Sequence, residues 1–363
     1  MDKRIFQIAL TLIPGIGSIT GKKLIKACGS SEAVFKESVS NLNRIRGLNS
    51  QIANELKSAH YLKRAEQELH FISQKKIRLI SIEDEDYPFR LNECEDSPLV
   101  LYFKGSGEIN ARKTIAIVGT RNPTEYGKQQ CIKFVHGLKQ VNVLIISGLA
   151  YGIDSIAHRT ALEEGFETLA VMAHGFHTIY PPSNRKLASR IIHQGGLLTE
   201  FVNGAKPDRE NFPKRNRIVA GLSDAVLVVE SAERGGALIT ADIAVSYNRD
   251  VFAIPGRADD LHSGGCNWLI YDNKAALVRK PEDIISLMQW ENQSGGGVQT
   301  HIFTELDPRF KKVYKVLREH GGLRIDQLLA VSGLDNGELK GILLEMELAG
   351  YLKVFPGNLY MPV

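Results

Sequence analysis

The segments TIAIVG (114–119) and VLIISG (143–148) are short apolar runs rich in β-branched residues, each ending on a glycine. Between them, residues 124–140 carry apolar side chains at helical spacing. Unbroken apolar runs of this length suit strands covered on both faces. The pattern repeats in ETLAVMAHG (167–175), GLLTEF (196–201), DAVLVVES (224–231), VFAIPG (251–256) and AALV (275–278), with helical stretches at 154–165, 183–194 and 237–248 between most of them. Strands alternating with amphipathic helices predict an α/β core over 81–290, a Rossmann-like doubly wound parallel sheet. Ligands of such sheets bind beyond the carboxyl ends of the strands.

N-terminal to that core, residues 1–80 read as a helical domain with two related turns. In LIPGIGSITGKKLI (12–25) an apolar helix end meets Pro14-Gly15-Ile16-Gly17 and a second helix. RIRGLNSQIANELK (44–57) places Arg46-Gly47-Leu48-Asn49 in the same position. The pair resembles a helix-hairpin-helix (SAM-like) unit, in which glycines free backbone N–H groups at a helix start to meet a phosphate. Gly15, Gly17 and Lys22 are the candidate phosphate contacts; the other reading is a tight turn in a bundle used for protein docking. Toward the C-terminus, ENQSGGGVQTHIFTELDP (291–308) reads as a linker. Residues 309–363 then give three helices and a two-stranded wing, a winged helix with Leu339, Ile342, Leu343, Met346 and Leu348 on a core face. Its third helix offers only Lys340 as a base, which favours a docking module over a duplex reader.

The whole chain has 363 residues, 43% hydrophobic and 24% charged, an ordinary globular balance with length for two or three domains at about 150 residues each. No run reaches the ~18 apolar residues of a membrane helix. The start MDKRIFQIALTLIPGIGS has a basic, apolar character, but Gln7 interrupts it and a turn follows, so it is not read as a signal peptide. Cys28, Cys94, Cys131 and Cys266 are widely spaced, without CxxC, which points to reduced thiols in a cytoplasmic protein and to no metal site. Charge is uneven. Residues 1–80 hold 14 Lys and Arg against 6 Asp and Glu, and both 104–159 and 185–217 hold 8 against 3. Two basic stretches inside an otherwise acidic middle suggest a localised site for an anion.

Those stretches contain the loops that follow the strands. VGTRNP (118–123) lacks the GxGxxG spacing of a dinucleotide site but sets Arg121 at a strand tip, with Gly119 permitting close backbone approach. SGLAYGID (147–154) offers the Ser147 hydroxyl and the Gly148 N–H, with Asp154 expected to cap the next helix. YPPSNRKL (180–187) puts Arg185 at a helix start. NFPKRNRIVAGLSDA (211–225) gathers Phe212, Lys214, Arg215, Asn216 and Arg217 on one loop-to-helix segment. Cations for phosphates, an aromatic face for stacking and an amide for base edges are the mix expected for single-stranded nucleic acid. Two alternatives stand: Arg217 pairs with a carboxylate such as Asp224 or Glu230, and Asn216 caps a helix. Catalytic patterns are missing: there is no Walker A motif, HExxH or GxSxG, and nothing pairs Glu200, Glu230 or Asp242 with a nucleophile.

VGTR, SGLAYGID, HGFHTIYPPSNRKL, LLTEF, NFPKRNRIVAGLSDAVLVVES, GGALITA, VFAIPG and GGCNWLI occur in an order and spacing that resembles the DNA-processing protein A (DprA, or Smf) family of bacteria, as does the lead-in YPFRLNECEDSPLVLYFKG (87–105). The resemblance implies a non-enzymatic protein without cofactor. It would be a homodimer that binds single-stranded DNA through its Rossmann-like core and loads RecA recombinase onto it during natural transformation. It also implies DNA contacts at Arg121, Arg185 and Lys214 with its neighbours, and backbone contacts at Ser147 and Gly148. The alternative is a nucleotide phosphoribohydrolase of the lysine-decarboxylase-like fold. Its PGGxGTxxE loop would correspond to ERGGALITAD (233–242), which lacks the proline, the third glycine and the glutamate.

Overall fold

The computed structural model describes residues 2–45, 47–48, 50–290, 308–348, 351–355 and 358–362. Residues 291–307 of the expected linker, with Gly295–Gly297, lie outside the described residues, as do Arg46 and Asn49 of the second hairpin, while Pro308, expected to end the linker, is helical. The chain forms two compact units, residues 1–291 and 292–363.

The first unit begins with helices α1 (Lys3–Leu12), α2 (Ser18–Cys28), α3 (Ser31–Lys36), α4 (Val39–Leu42), α5 (Ser50–Glu55) and α6 (Ala59–Gln74). Strand β1 (Arg78–Ser81), the single-turn α7 (Phe89–Asn92) and β2 (Val100–Gly105) follow. The alternating part then runs β3 (Thr114–Val118), α8 (Glu125–Gly137), β4 (Leu144–Ser147), α9 (Ile153–Glu164), β5 (Thr168–Val171), α10 (Arg185–His193), β6 (Gly195–Thr199), α11 (Asn211–Gly221), β7 (Ala225–Val228), α12 (Gly236–Ser246), β8 (Asp250–Ala253), α13 (Gly264–Tyr271), β9 (Ala276–Leu277) and α14 (Pro281–Leu287). All seven strands expected from the apolar runs are present.

The nine strands form one sheet in the order β1-β2-β6-β5-β4-β3-β7-β8-β9. From β6 to β9 every pairing is parallel, with Ile115 opposite Ile145 and Ala225. β1 and β2 extend it antiparallel, Tyr102 pairing with Leu79 and Thr199. Because β1 starts at Arg78 and the apolar core of the helical segment includes Leu79, Leu99, Val100 and Tyr102, residues 1–80 share a core with the sheet instead of forming a separate compact unit. Gly21 seals that joint: a Cβ there would stand 2.2 Å from the Leu99 side chain.

The second unit holds α15 (Pro308–His320), β10 (Leu323–Arg324), α16 (Ile325–Ser332), α17 (Asn336–Leu348), β11 (Leu352–Phe355) and β12 (Leu359–Pro362). Its sheet has the order β10-β12-β11, one strand more than the expected two-stranded wing. Leu339, Ile342, Leu343 and Met346 are buried as the spacing predicted, on Val313, Leu317 and Leu328; the Leu348 side chain lies outside the described residues. Among the described residues, no helix is long and apolar enough to cross a membrane, and no cluster of His, Cys, Asp or Glu is placed to hold a metal.

Candidate nucleic-acid interface

The sheet reverses its strand order between β3 and β7, the place where a doubly wound fold usually opens a ligand crevice. Here that crevice is filled. The buried Glu230 carboxylate accepts from the Thr124 N–H (2.8 Å) and from the Thr124 hydroxyl, and Thr120 N–H donates to the Glu230 carbonyl (2.8 Å). A Cβ on Gly119 would lie 2.6 Å from the Ile153 side chain. Gly119 is therefore required by packing, where the sequence suggested a backbone open to phosphate.

The exposed functional groups collect one strand over, at the tips of β3, β4 and β5. Arg121, exposed on the loop after β3, sets its guanidinium carbon 5.2 Å from the centre of the Phe212 ring, within cation–π range. Tyr180 packs against the same ring at 6.1 Å and 58°. With Gly148, Ala150, Tyr151, Ala173, His174 and Pro181 these residues line a depression of only about 20 Å³. A base cannot be engulfed there; it can stack on the rim, where Tyr151 and Tyr180 are 47% and 40% exposed. These two tyrosines were not singled out from the sequence, although each stands in a quoted loop just past a strand.

Beneath the rim is a scaffold of buried polar groups. Arg215 is 4% exposed; its Nη1 donates to the carbonyls of Gly148 and Val171 (2.8 Å to the latter) and its Nε to the Asn216 amide oxygen (3.1 Å). Burial lowers its pKa, and the nearby Asp154 charge opposes that shift. Asp154 accepts from the N–H groups of Gly148 (3.2 Å) and Ala150 (3.3 Å). It sits inside the first turn of α9, whose N-cap is Gly152, so it braces the β4–α9 loop and is not the expected helix cap. Burial raises its pKa against Arg215 and these hydrogen bonds. Ser147, fully buried, donates its hydroxyl to the Ile117 carbonyl at 2.6 Å. Ser147, Gly148 and Arg215, expected at the ligand, are thus engaged in holding the loops that carry it. Nor is Asn216 a cap: it lies inside α11, whose N-cap is Glu210.

The 211–217 segment is helical from Asn211 onward, with Pro213 in the first turn where its missing N–H costs nothing. Helix phase divides the cluster read as one site. Phe212, Arg215 and Asn216 lie three and four residues apart on one face; Lys214 and Arg217 share another. Arg217 forms an ion pair with Glu200 and donates to the Asp96 carbonyl, so it is paired, but not with Asp224 or Glu230. Asp224 instead binds Arg90 through two bonds of 2.6 and 2.9 Å. Lys214 and Arg185 are exposed and have no ion-pair partner among the described residues. Arg185 and Lys186 open α10, which has no acidic residue in its first turn. Cations beside the positive end of a helix dipole are unfavourable unless an anion joins them.

Lys214 and Arg217 face a second, larger cleft of about 500 Å³ walled on its other side by Ile16, Gly17, Ser18, Ile19 and Thr20. The three hairpin candidates separate here. Gly15 (φ +85°) is a turn residue packed on Ile52, and Lys22 donates to the carbonyls of Cys94 (2.7 Å) and Glu95 (2.9 Å), its pKa lowered by burial. Only Gly17 stays open: a Cβ there would meet nothing within 4 Å, and α2 has no side-chain cap.

The profile of the DNA recombination-mediator protein A family matches residues 78–289, and that of the DprA winged helix domain matches 304–358. Protein Smf of Synechocystis sp. is 32% identical over 99% of this chain and 98% of its own length. The DNA processing protein DprA of Streptococcus pneumoniae is 39% identical over 58% of this chain and 74% of its own. Among solved structures, DNA processing protein A from Streptococcus pneumoniae aligns with a TM-score of 0.59 at 34% identity, covering 75% of this chain and 98% of that one. DNA processing protein A from Helicobacter pylori, described for its single-stranded DNA binding mode, aligns with a TM-score of 0.54 at 29% identity, covering 59% and 96%. The profile begins at Arg78, the first residue of β1, and so takes in the antiparallel extension of the sheet as well as the loops that carry Arg121, Tyr180 and Phe212. The chain belongs to the DNA recombination-mediator protein A family, the DprA or Smf proteins.

Proposed function

We propose that this protein binds single-stranded DNA at the tips of β3–β5 and, as a cytoplasmic homodimer, passes it to a RecA-type recombinase during DNA uptake and recombination. The observation that carries the DNA reading is the group of Arg121, Phe212, Tyr180 and Tyr151: an exposed guanidinium over an aromatic ring, beside two half-exposed phenols. A shallow aromatic rim accepts unstacked bases of any sequence, and Arg121, Arg185 and Lys214 supply charge for phosphates. The Helicobacter pylori relative's single-stranded DNA binding mode supports the same choice of ligand. Delivery to the recombinase and dimer formation rest on the family resemblance.

The reading is of a binding protein and not a catalyst. Each carboxylate weighed as catalytic has a structural partner: Glu230 holds Thr124, Glu200 pairs with Arg217, and Asp242 pairs with Lys274 at 3.0 Å. Fluorescence anisotropy with labelled single-stranded and duplex oligonucleotides tests the assignment. The expected result is preference for the single strand, with log affinity falling by about 0.7 per phosphate contacted for each decade of salt. Duplex binding equal to or tighter than single-strand binding would refute it, as would release of base from nucleoside monophosphates at enzymatic rates.

A further inference from the structure

The cleft of about 500 Å³ between α2 and α11 has the size of a small-ligand site, roughly 300–1,000 Å³, and lies where two packed segments meet. It belongs to one compact unit and is fastened on several sides. Lys22 ties α2 to the carbonyls of Cys94 and Glu95, Arg217 ties α11 to Glu200 and Asp96, and Arg64 ties α6 to the Asn203 carbonyl at 2.8 Å. The cavity is therefore formed before any ligand arrives.

Its lining is mostly apolar: Leu12, Ile16, Ile19, Leu99, Phe201 and Val202. Ile19 is 40% exposed, whereas Leu24 on the same helix is fully buried. The charges inside are largely balanced. Glu200 is paired with Arg217, and the Asp96 carboxylate accepts the Tyr247 hydroxyl. Lys214, at the wall formed by α11, has no ion-pair partner among the described residues. Such a chamber suits a flat, weakly polar group that brings an anion to Lys214. Lys214 is two residues from Phe212, so α11 separates the aromatic rim from the cleft by the width of one helix.

We infer that the cleft holds the base of a further nucleotide of the same DNA strand, stacked on the Ile19 and Phe201 wall, with its phosphate at Lys214. The inference rests on the proposed single-strand site and extends the strand's path over α11 to the hairpin helices. The hairpin then acts through the open side of α2, not through Lys22 or Gly15.

Ile19→Glu and Ile19→Trp in the full chain test this, titrated with labelled oligothymidylates of about 4 to about 30 nucleotides. Ile19→Glu is expected to weaken long strands about tenfold and leave the shortest at wild-type affinity; Ile19→Trp is expected to tighten long strands several-fold, with its indole fluorescence quenched by them. A folding defect would move both variants in one direction, whereas the inference requires opposite directions. Wild-type affinity of both variants at every length overturns it, and so does an equal effect on short and long strands. Arg121→Ala separates the two readings: if it leaves the shortest strand unaffected, the strand-tip site itself is wrong.

Discussion

Lys22 and Lys214 are the same residue type, each near the start of a helix, and both stand in segments that the sequence marks as nucleic-acid contacts. In the hairpin, the Lys22 ammonium sits between two backbone carbonyls and fastens α2 to the 94–96 loop. Arg121 at the strand tips and Lys214 at the cleft across α11 both stand exposed, Arg121 resting on an aromatic ring and Lys214 without an ion-pair partner among the described residues. Arginines divide the same way: Arg215 and Arg217 bind the protein, while Arg121 and Arg185 face outward. A count of cations along the sequence measures charge; which of that charge is available to a ligand depends on where carbonyls and carboxylates come to lie.

The largest expected effect breaks the comparison on the scaffold side. Arg215→Met leaves Asp154 buried without its counter-charge and the Gly148 and Val171 carbonyls without a donor. Urea unfolding should show a loss of about 3–5 kcal/mol. Normal stability with lost DNA affinity would make Arg215 a ligand contact after all. Next, Phe212→Ala should lower single-strand affinity about tenfold at unchanged unfolding midpoint, the worth of one stacked base. A larger loss of stability than of affinity would make the ring a core residue.

A pH series probes the scaffold at similar size. His158 is fully buried, its Nδ1 2.7 Å from the Thr168 hydroxyl, and burial lowers its pKa from 6.5 to about 3. The folded form thus binds fewer protons than the unfolded one below pH 6.5. The His158 contribution is complete above that value and is lost as pH falls toward 3, by up to about 1.4 kcal/mol per pH unit. The slope of stability against pH between 6.5 and 5 should be shallower in His158→Gln; an unchanged slope counts against it. The smallest effect is that of Lys22→Ala, about 1 kcal/mol of stability from its two hydrogen bonds, with DNA affinity at the wild-type level.

The parallel sheet was legible because strands buried on both faces leave continuous apolar runs, and TIAIVG and VLIISG are short, rich in β-branched residues and ended by glycine. β1 and β2 were not: both fall outside the alternation of strands and helices, Arg78–Ser81 at the end of the helical segment and Val100–Gly105 within the lead-in to the core. Arg121 and Phe212 were legible as chemistry, since an arginine after a strand glycine and an aromatic before a basic run have few structural uses. The division of 212–217 between two faces was not, because it depends on the helix starting at Asn211 and on which carbonyls surround Arg215. Tyr151 and Tyr180 became visible only when folding brought three separate loops to one rim.

The salt dependence of single-strand binding compares available with engaged charge directly, using the wild-type protein, Lys22→Ala and Arg121→Ala/Lys214→Ala. The slope of log affinity against log salt should be the same for the wild type and Lys22→Ala. It should be shallower by about 1.4 for the double variant, two phosphate contacts at about 0.7 each. A double variant with the wild-type slope, or a Lys22→Ala slope as shallow as the double variant's, would contradict the placement of the DNA at the strand tips and on α11.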